Sequence, residues 1–281
     1  MKHTWSIAVV AASVLALQSC TEKKIIPPVT AAEVIIDKNW QFETTPAWQD
    51  NFDGTAVDNS KWTFETGGGG WGNNELQFYT QGPNARLDNG RLVIEARREN
   101  VGGREYSSTR MITKGKGDWL YGRFEIRAKL PRGRGTWPAV WMLSSDNSYG
   151  VWPASGEIDI MEHVGYDPER IHCSIHTSAY NHMRNTQRTS SRMVPGVMDD
   201  FHVYRVDWTP YAVRGFVDGV QYFEFVNENK GFTVWPFNRK FFLILNIAIG
   251  GNWGGAQGVD NSIFPTRMEV DYVRVFRMIE Q

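Results

Sequence analysis

The sequence predicts an all-β fold, and three observations support this class. Several segments alternate apolar and polar residues with the two-residue period of a half-buried strand. Gly and Pro, 27 and 12 of the 281 residues, interrupt these segments at short intervals. The sequence contains no amphipathic helical pattern of three turns or more and no repeat of 20–50 residues. A domain of about 250 residues with many short strands is typical of a β-sandwich or barrel.

The N-terminal residues predict export rather than a part of the fold. A basic start precedes an apolar run over 7–17, which is too short to span a membrane. A small residue followed by Cys20 is typical of a bacterial lipoprotein, so we expect a signal peptide over 1–19 and a lipidated Cys20. The alternative is an ordinary signal peptide that is cleaved elsewhere. Residues 20–33 then form a flexible tether, and residues 34–281 form the folded domain.

Five segments give the strand signal most clearly, and one of them contains a hairpin. Asp218-Gly219 lies between two apolar-alternating runs, which predicts a tight turn of the hairpin type. Two sheets that pack face to face leave one outer face that can curve into a groove for a long ligand. The five segments are 91–98, 122–130, 202–208, 213–225 and 268–276.

Composition narrows the class of partner. The net charge is −1, which does not favour nucleic acid or an anionic surface. Aromatic residues make up 13% of the chain, and 12 of them are Trp. A surplus of Trp suits a neutral, hydroxyl-rich ligand such as a sugar polymer, although a Trp-rich core is the alternative. Cys173 lies on the apolar phase of its strand and has no disulfide partner once Cys20 is lipidated, so we expect a buried thiol without function.

Three acids lie within one otherwise apolar strand. In a regular strand Glu157 and Asp159 share a face, whereas Glu162 points into the core as a buried unpaired acid. A single-residue β-bulge between Asp159 and Glu162 would bring all three acids to the groove. Two carboxyls about 5–5.5 Å apart are what retaining glycoside cleavage requires. The alternative, a calcium site made by the three carboxylates, is disfavoured because calcium ligands usually come from loops rich in Asp and Asn.

The segment Gly-Glu-Ile-Asp-Ile-Met-Glu-His at 156–163 resembles the E-x-D-x-x-E signature of glycoside hydrolase family 16, in its bulged, laminarinase-like form. The resemblance implies a concanavalin-like β-jelly roll of two antiparallel sheets with a concave substrate groove, and retaining endo-hydrolysis without a catalytic cofactor. By position, Glu157 matches the nucleophile, Glu162 the acid/base and Asp159 the assisting acid. Four further blocks resemble the family in family order: 71–79 (WGNNELQFY), 136–143 (TWPAVWML), 246–254 (NIAIGGNWG) and 268–276 (MEVDYVRVF).

Four tryptophans are candidate platforms for sugar rings. Trp137 and Trp141 are four residues apart on one strand, so they share a face. Trp152 resembles a family residue that lines the subsite of the cleaved sugar. Trp253 lies in a Gly-rich loop and has no apolar neighbours in sequence, so we expect its ring to be exposed for ligand rather than packed in the core. Packing in the core is the alternative for each of the four.

Three polar residues are further candidates for contact with sugar. His176 lies on the polar phase of strand 171–178, and its family counterpart approaches the sugar near the acid/base; a solvent-facing histidine is the alternative. Arg110 and Asn73 match family positions that hydrogen-bond sugar hydroxyls, although Arg110 could equally form a salt bridge and Asn73 a turn. His163 departs from the aromatic residue often found at its position in laminarinase-like members.

Asp271 resembles a calcium ligand of some family members, where backbone carbonyls complete the site. Backbone ligands leave no trace in a sequence, so this expectation depends on one residue. Such an ion would stabilise the fold rather than take part in catalysis.

The leading hypothesis is a monomeric endo-β-glucanase that cuts β-1,3-glucan, mixed-linkage β-1,3/1,4-glucan or both. Enzymes that cleave agar or carrageenan are the first alternative. Sulfated substrates favour a basic cleft, however, and this chain is nearly neutral. A non-catalytic glycan-binding lipoprotein is the second, although binding alone does not need a nucleophile and a proton donor. Because a polymer is too large for porins, we expect the anchored chain on the bacterial outer membrane, facing the cell surface; the periplasm is the alternative.

Overall fold

The computed structural model describes Met1 and residues 34–279. The predicted lipidation site Cys20, the tether and all of the predicted signal peptide except Met1 therefore lie outside the described residues. Within the described part, every strand is joined to the next by turns, loops or two three-residue 3₁₀ helices, His182–Arg184 and Asn261–Ile263. None of the described helices has the length and apolar character needed to cross a membrane.

Twenty strands form in the described residues. They are β1 (Gln41–Phe42), β2 (Trp48–Asp50), β3 (Thr63–Glu65), β4 (Gln77–Tyr79), β5 (Ala85–Leu87), β6 (Leu92–Val101), β7 (Arg104–Ser108), β8 (Arg110–Ile112), β9 (Asp118–Trp119), β10 (Gly122–Lys129), β11 (Thr136–Ser144), β12 (Glu157–His163), β13 (Arg170–His176), β14 (Arg188–Met193), β15 (His202–Trp208), β16 (Ala212–Val217), β17 (Val220–Val226), β18 (Phe241–Ile249), β19 (Thr266–Phe276) and β20 (Met278–Ile279).

Two large sheets contain nearly all of these strands. The first has ten strands in the order β17-β16-β15-β10-β19-β6-β7-β4, with β2 beside β19 and β5 beside β6. The second has eight strands in the order β14-β13-β12-β11-β18-β8-β3, with β9 beside β18. Strands β1 and β20 form a separate pair, and β4 with β7 is the parallel pairing in the described part. The arrangement confirms the predicted jelly roll of two largely antiparallel sheets.

All five predicted segments are strands, and the predicted hairpin is present. Asp218 and Gly219 join β16 to β17 with φ angles of 49° and 77°. Positive φ at both central residues is what a two-residue type I′ turn requires. The largest boundary difference is in β6, which continues to Val101. Its last residues are partly or fully exposed and pair with β7 across a register shift, so they lack the alternation that identified residues 91–98.

The inner faces of the two sheets form one apolar core. Strand β13 contributes Ile171, Cys173 and Ile175, which are all fully buried, as the alternation predicts. Burial raises the pKa of the Cys173 thiol well above its usual range. A Cβ at Gly215 of the opposite sheet would lie 2.6 Å from Cys173 Sγ, so the two sheets are in close contact here. This packing supports the prediction of an inert thiol.

Strand β18 lies in the middle of the eight-stranded sheet and has no exposed residue. Its alternate residues Phe242 and Ile244 face away from the core and form a small apolar cluster with Ile112. Trp141 and Leu143 of β11 pack against that cluster. Burial on both faces explains why β18 reads as an almost continuous apolar run rather than as an alternating one.

Candidate active site

A β-bulge in β12 brings the three acids to the outer face of the eight-stranded sheet. On the β11 side, Met161 pairs with Val140 but Asp159 pairs with Trp141, so Ile160 is the extra residue. The pairing with β13 shifts between Asp159 and Glu162 as well. Ile160 and Met161 are consecutive, yet both are fully buried in the core. The structure thus has the bulge that the sequence predicts, because the core accepts Ile and Met and excludes the charged side chain.

Glu157 and Glu162 line a groove of about 420 Å³, and Asp159 borders the smaller recess at its floor. Asp159 is 1% exposed, whereas Glu157 and Glu162 are each partly exposed to the groove. Nε1 of Trp152 donates to Oε2 of Glu157 at 2.5 Å, and Nε1 of Trp137 donates to Oε1 of Glu162 at 3.1 Å. Each glutamate is therefore held by an indole that can only donate.

Burial and mutual repulsion raise the pKa of all three carboxyls. Burial, followed by the charge of Asp159, raises the pKa of Glu157 to about 8. Burial, with the charge of Glu157 adding to it, raises the pKa of Glu162 to about 7. Burial and the charge of Glu162 raise the pKa of Asp159 well above its usual range. The three groups cannot all ionise near neutral pH, so the cluster retains protons there.

The distribution of hydrogen-bond donors indicates which acid ionises first. The Trp152 N–H bond to Glu157 is 2.5 Å long, whereas the Trp137 N–H bond to Glu162 is 3.1 Å, and the charge of His176 favours both carboxylates. The charge of Asp159 contributes to the raised pKa of Glu157, and this contribution disappears when Asp159 keeps its proton. Asp159 is the most deeply buried acid, so its charged form is the most costly. We therefore assign the ionised form to Glu157 and the retained protons to Asp159 and Glu162.

Aromatic side chains flank the acids at both ends. On the side of Glu162, the rings of Trp137 and Trp253 meet edge to face at 5.5 Å, and His172 meets Trp253 at 4.9 Å. On the side of Glu157, Trp152 lies 5.0 Å from His182. Two separated aromatic clusters suit a polymer that crosses the acids and contacts rings on either side.

Most of the sequence-predicted residues do meet in this groove. His176 is 6% exposed, and its Nε2 lies 3.3 Å from Oδ2 of Asp159. Trp141 is half-buried at the floor, and its Nε1 donates to Oδ1 of Asn246 at 2.7 Å. Among the predicted residues, those that line the groove or its floor are Asn73, Trp137, Trp141, Glu157, Asp159, Glu162, His176 and Trp253.

Two predicted residues are engaged elsewhere. Nε of Arg110 donates to Oε2 of Glu65 at 2.5 Å, and the guanidinium lies between the rings of Trp71 and Trp141, 4.8 Å from each centroid. The structure thus supports the salt-bridge alternative for Arg110. Asp271 lies on β19 of the other sheet, where its Oδ2 accepts from Nη1 of Arg127 at 2.6 Å.

Sequence reasoning missed several residues of the groove. His172 and Ser174 share the polar phase of β13 with His176, so the alternation that identified His176 could have identified them too. Loop residues such as His182 carry no periodic signal. Glu75 lies beneath the groove within the block 71–79, where it is 5% exposed. The missed residues that line the groove are His172, Ser174, His182, Gln187, Thr189 and Asn252.

Within the described residues, one group of three or more candidate metal ligands is present. It consists of Glu157, Asp159 and His176, whose ligand atoms lie within 4.8 Å of one another. Calcium prefers six to eight oxygen ligands in a flexible loop, whereas this group is rigid, includes a nitrogen and lies in a strand pair. The group therefore does not fit the calcium alternative for the three acids.

Comparisons with known proteins agree with the site. The model of the family described as Glycosyl hydrolases family 16 matches residues 72–274. The chain is 54% identical over 243 residues to the beta-glucanase of Rhodothermus marinus, covering 83% of this chain and 85% of that protein. It is 40% identical over 245 residues to a glucan endo-1,3-beta-glucosidase of Cryptopygus antarcticus, covering 81% and 90%. The solved laminarinase from Rhodothermus marinus has a TM-score of 0.84 at 52% identity, covering 86% of this chain and 99% of that one.

Proposed function

The chain belongs to glycosyl hydrolases family 16, and we propose that it is a retaining endo-β-glucanase acting on β-1,3-glucan, mixed-linkage β-1,3/1,4-glucan or both. The observation that carries the proposal is the bulge in β12, which places Glu157 and Glu162 on one wall of an aromatic-lined groove. A binding protein has no need for two neighbouring carboxyls with raised pKa values, one of which is ionised while the other keeps its proton.

In the first step, the Glu157 carboxylate attacks the anomeric carbon while Glu162 protonates the departing oxygen. The C–O bond to the leaving sugar breaks as the bond to Glu157 forms, which leaves a covalent glycosyl-enzyme. A pKa of about 7 suits Glu162, because it is still protonated near neutral pH and can give up its proton readily. The Trp137 N–H donates to Glu162 and stabilises the carboxylate that forms when Glu162 gives up its proton.

In the second step, Glu162 removes a proton from water, which attacks the anomeric carbon and releases Glu157. Two inversions at one carbon give net retention of the β configuration. Asp159, protonated and adjacent to Glu157, can hydrogen-bond to the carboxylate and reduce the repulsion between the two glutamates. The Trp152 N–H holds the orientation of the Glu157 carboxylate throughout.

The charge of the groove favours a neutral substrate. No Lys or Arg is among the described residues that line the groove and its floor. The nearby guanidinium of Arg110 is already neutralised by Glu65. A sulfated galactan would bring anionic groups next to Glu157 and Glu162 without a cation to pair with them, so the structure supports a glucan substrate.

Product analysis tests the proposal. The purified protein is incubated separately with laminarin, barley mixed-linkage glucan and agarose, and released oligosaccharides are identified by chromatography and linkage analysis. We expect a series of internal-cleavage products from one or both glucans, with none from the Glu157→Gln variant. Release from agarose alone would overturn the substrate, and release from none of the three would favour a binding protein.

We also propose that the mature chain is a lipoprotein of the outer membrane exposed at the cell surface. The proposal is supported by the apolar run over 7–17, which is followed by a small residue and Cys20, and by a substrate too large for porins. Metabolic labelling with a radioactive fatty acid should mark the wild-type protein and not the Cys20→Ala variant. Protease treatment of intact cells should then remove the labelled protein; protection would place it in the periplasm.

The structural calcium at Asp271 stays a prediction. Arg127 already provides a cation to this carboxylate at 2.6 Å, so a calcium ion would have to displace it or share the carboxylate with it. If calcium binds, a chelator lowers the melting temperature and added calcium restores it. An unchanged melting temperature would leave the Arg127 ion pair as the cation at this position.

A further inference from the structure

Glu75 is a buried carboxyl near the groove to which the mechanism assigns no role. It follows the turn of residues 71–74 and forms a β-bridge with Gly250 of the β18 end. The residue is 5% exposed. Burying a carboxyl is costly, and an apolar residue of similar volume would stabilise such a position as well or better.

Three donors converge on the Glu75 carboxylate. Nε2 of Gln77 donates to Oε2 at 2.6 Å, and the hydroxyl of Tyr79 donates to the same oxygen at 3.1 Å. Nδ2 of Asn73 donates to Oε1 at 3.3 Å. Both oxygens are therefore used as acceptors, which offsets part of the cost of burial.

A second path leads from Glu75 to the floor of the groove. An indole can only donate, so Oδ1 of Asn246 must face Nε1 of Trp141, at 2.7 Å. The Asn246 amide then donates to the Tyr79 hydroxyl at 3.0 Å. Because that hydroxyl accepts from Asn246, its own proton is directed to Glu75. Each hydrogen bond in this series therefore has a fixed donor and acceptor. Trp141 donates to Asn246, Asn246 to Tyr79 and Tyr79 to the Glu75 carboxylate, which only accepts.

Both ends of this network are groove residues. Asn73 and Trp141 border the same recess as Glu157 and Asp159. We propose that Glu75 is a positioning residue that fixes Asn73 and Trp141 for binding of the glucan chain on the β11 and β18 side of the acids. The inference rests on the proposed function, since it names the part of the site that holds the polymer rather than the part that cleaves it.

The variant Glu75→Gln separates this role from a structural one. The new amide oxygen can still accept from Gln77 and Tyr79, but its nitrogen then faces the Asn73 amide, donor against donor. We expect KM for laminarin to rise about tenfold, the effect of one lost hydrogen bond with an unsatisfied partner. We expect kcat to change less than about twofold, because Glu157 and Glu162 are unaffected.

A second substitution provides the rescue. Asn73→Asp alone places a carboxylate against Glu75 and should also raise KM. In the double variant Glu75→Gln/Asn73→Asp, the Gln amide donates to the Asp carboxylate, and KM should return to within about threefold of the wild type. The matched control is Glu269→Gln, a 6% exposed acid on β19 of the other sheet, which should lower the melting temperature without changing KM.

Affinity for laminarin is also measured by calorimetry in the Glu157→Gln background, which gives the same comparison without turnover. A wild-type protein that releases no product would refute the proposed function, whereas equal laminarin affinity with and without Glu75→Gln would refute only this inference. A double variant no better than either single variant would likewise overturn it. So would a parallel fall in kcat and melting temperature with KM unchanged, which would leave Glu75 as a structural acid.

Discussion

At the residue scale, the site depends on two glutamates in different protonation states. Glu157 and Glu162 have the same side chain, lie on the same strand and are each held by an indole N–H. Asp159 neighbours Glu157, and the charge of Glu157 raises the pKa of Glu162. We therefore infer that position in the cluster, rather than residue type, assigns attack to Glu157 and proton donation to Glu162.

The assignment of roles predicts opposite stereochemistry for two azide-rescue reactions. In Glu162→Ala, an aryl β-glucoside with a good leaving group should still form the glycosyl-enzyme, and azide should then release the β-glycosyl azide. In Glu157→Ala, azide replaces the nucleophile and should give the α-glycosyl azide. Hydrolysis of laminarin by either variant should fall at least about 10²-fold. Nuclear magnetic resonance determines the anomeric configuration of each glycosyl azide. An α-azide from Glu162→Ala and a β-azide from Glu157→Ala would mean that the two glutamates have the opposite roles.

The raised pKa of Glu162 also predicts a pH dependence of stability. The folded protein holds this proton up to about pH 7, whereas an unfolded glutamate loses it near 4.5. The folded state binds more protons across this window, so the free energy of unfolding falls as pH rises through it. Glu162→Gln removes this loss and should exceed the wild type by about 1–2 kcal/mol at pH 8, since the partly exposed carboxylate keeps some hydration.

Thermal unfolding at a series of pH values checks this. The melting temperature of Glu162→Gln should match that of the wild type near pH 4 and exceed it by a few degrees at pH 8. A difference that is constant with pH would mean that Glu162 is not the group that titrates. Glu269→Gln serves as the control because its carboxyl is paired with cations and has a lowered pKa, so its substitution should cost more at neutral pH than at low pH.

At the element scale, the bulge in β12 shows what a sequence can reveal about a site. An apolar strand with acids at positions 157, 159 and 162 has no regular register that keeps all three out of the core, so the bulge was predictable. The loops that border the groove could not be predicted in this way. Residues such as His182 and Gln187 reach the groove because β13 and β14 are joined by a loop whose path depends on tertiary contacts and not on local periodicity.

The short strands could not be predicted from the sequence either. β4 and β9 have three and two residues, too few for any alternation to be visible. They form because a neighbouring strand offers unpaired backbone groups, as β18 does for β9 at Phe241 and Phe242. Arg110 is similar, since its pairing with Glu65 is a cross-strand contact between β8 and β3 that spans 45 residues.

The hairpin between β16 and β17 gives a prediction about an element alone. A Cβ at Gly219 would meet no atom within 4 Å, so Gly219→Ala carries only the cost of a φ of 77°. We expect a loss of about 1 kcal/mol in the free energy of unfolding, with laminarin hydrolysis unchanged. Gly69→Ala is the matched control, because it too has open space but no positive φ, and it should be neutral. Equal effects in urea unfolding would contradict the turn assignment.

At the scale of the whole molecule, the two sheets differ in the side chains that their outer faces present. The ten-stranded sheet presents paired charges such as Arg127 with Asp271 and Lys129 with Glu269. The outer face of the eight-stranded sheet instead presents Trp, His, Asn and the three acids around a groove without a free cation among its described lining residues. A neutral polymer that lies across the strands contacts aromatic rings on both sides of the acids, which suits internal cleavage.

The most direct test of the roles assigned to Glu157 and Glu162 is the anomeric configuration of the first product. The wild-type protein is mixed with laminarin in heavy water, and proton spectra of the new reducing ends are recorded before mutarotation. Retaining cleavage through a Glu157 glycosyl-enzyme predicts that the β-anomer appears first and the α-anomer follows by equilibration. An α-anomer that appears first would mean direct attack by water and would contradict the roles assigned to Glu157 and Glu162.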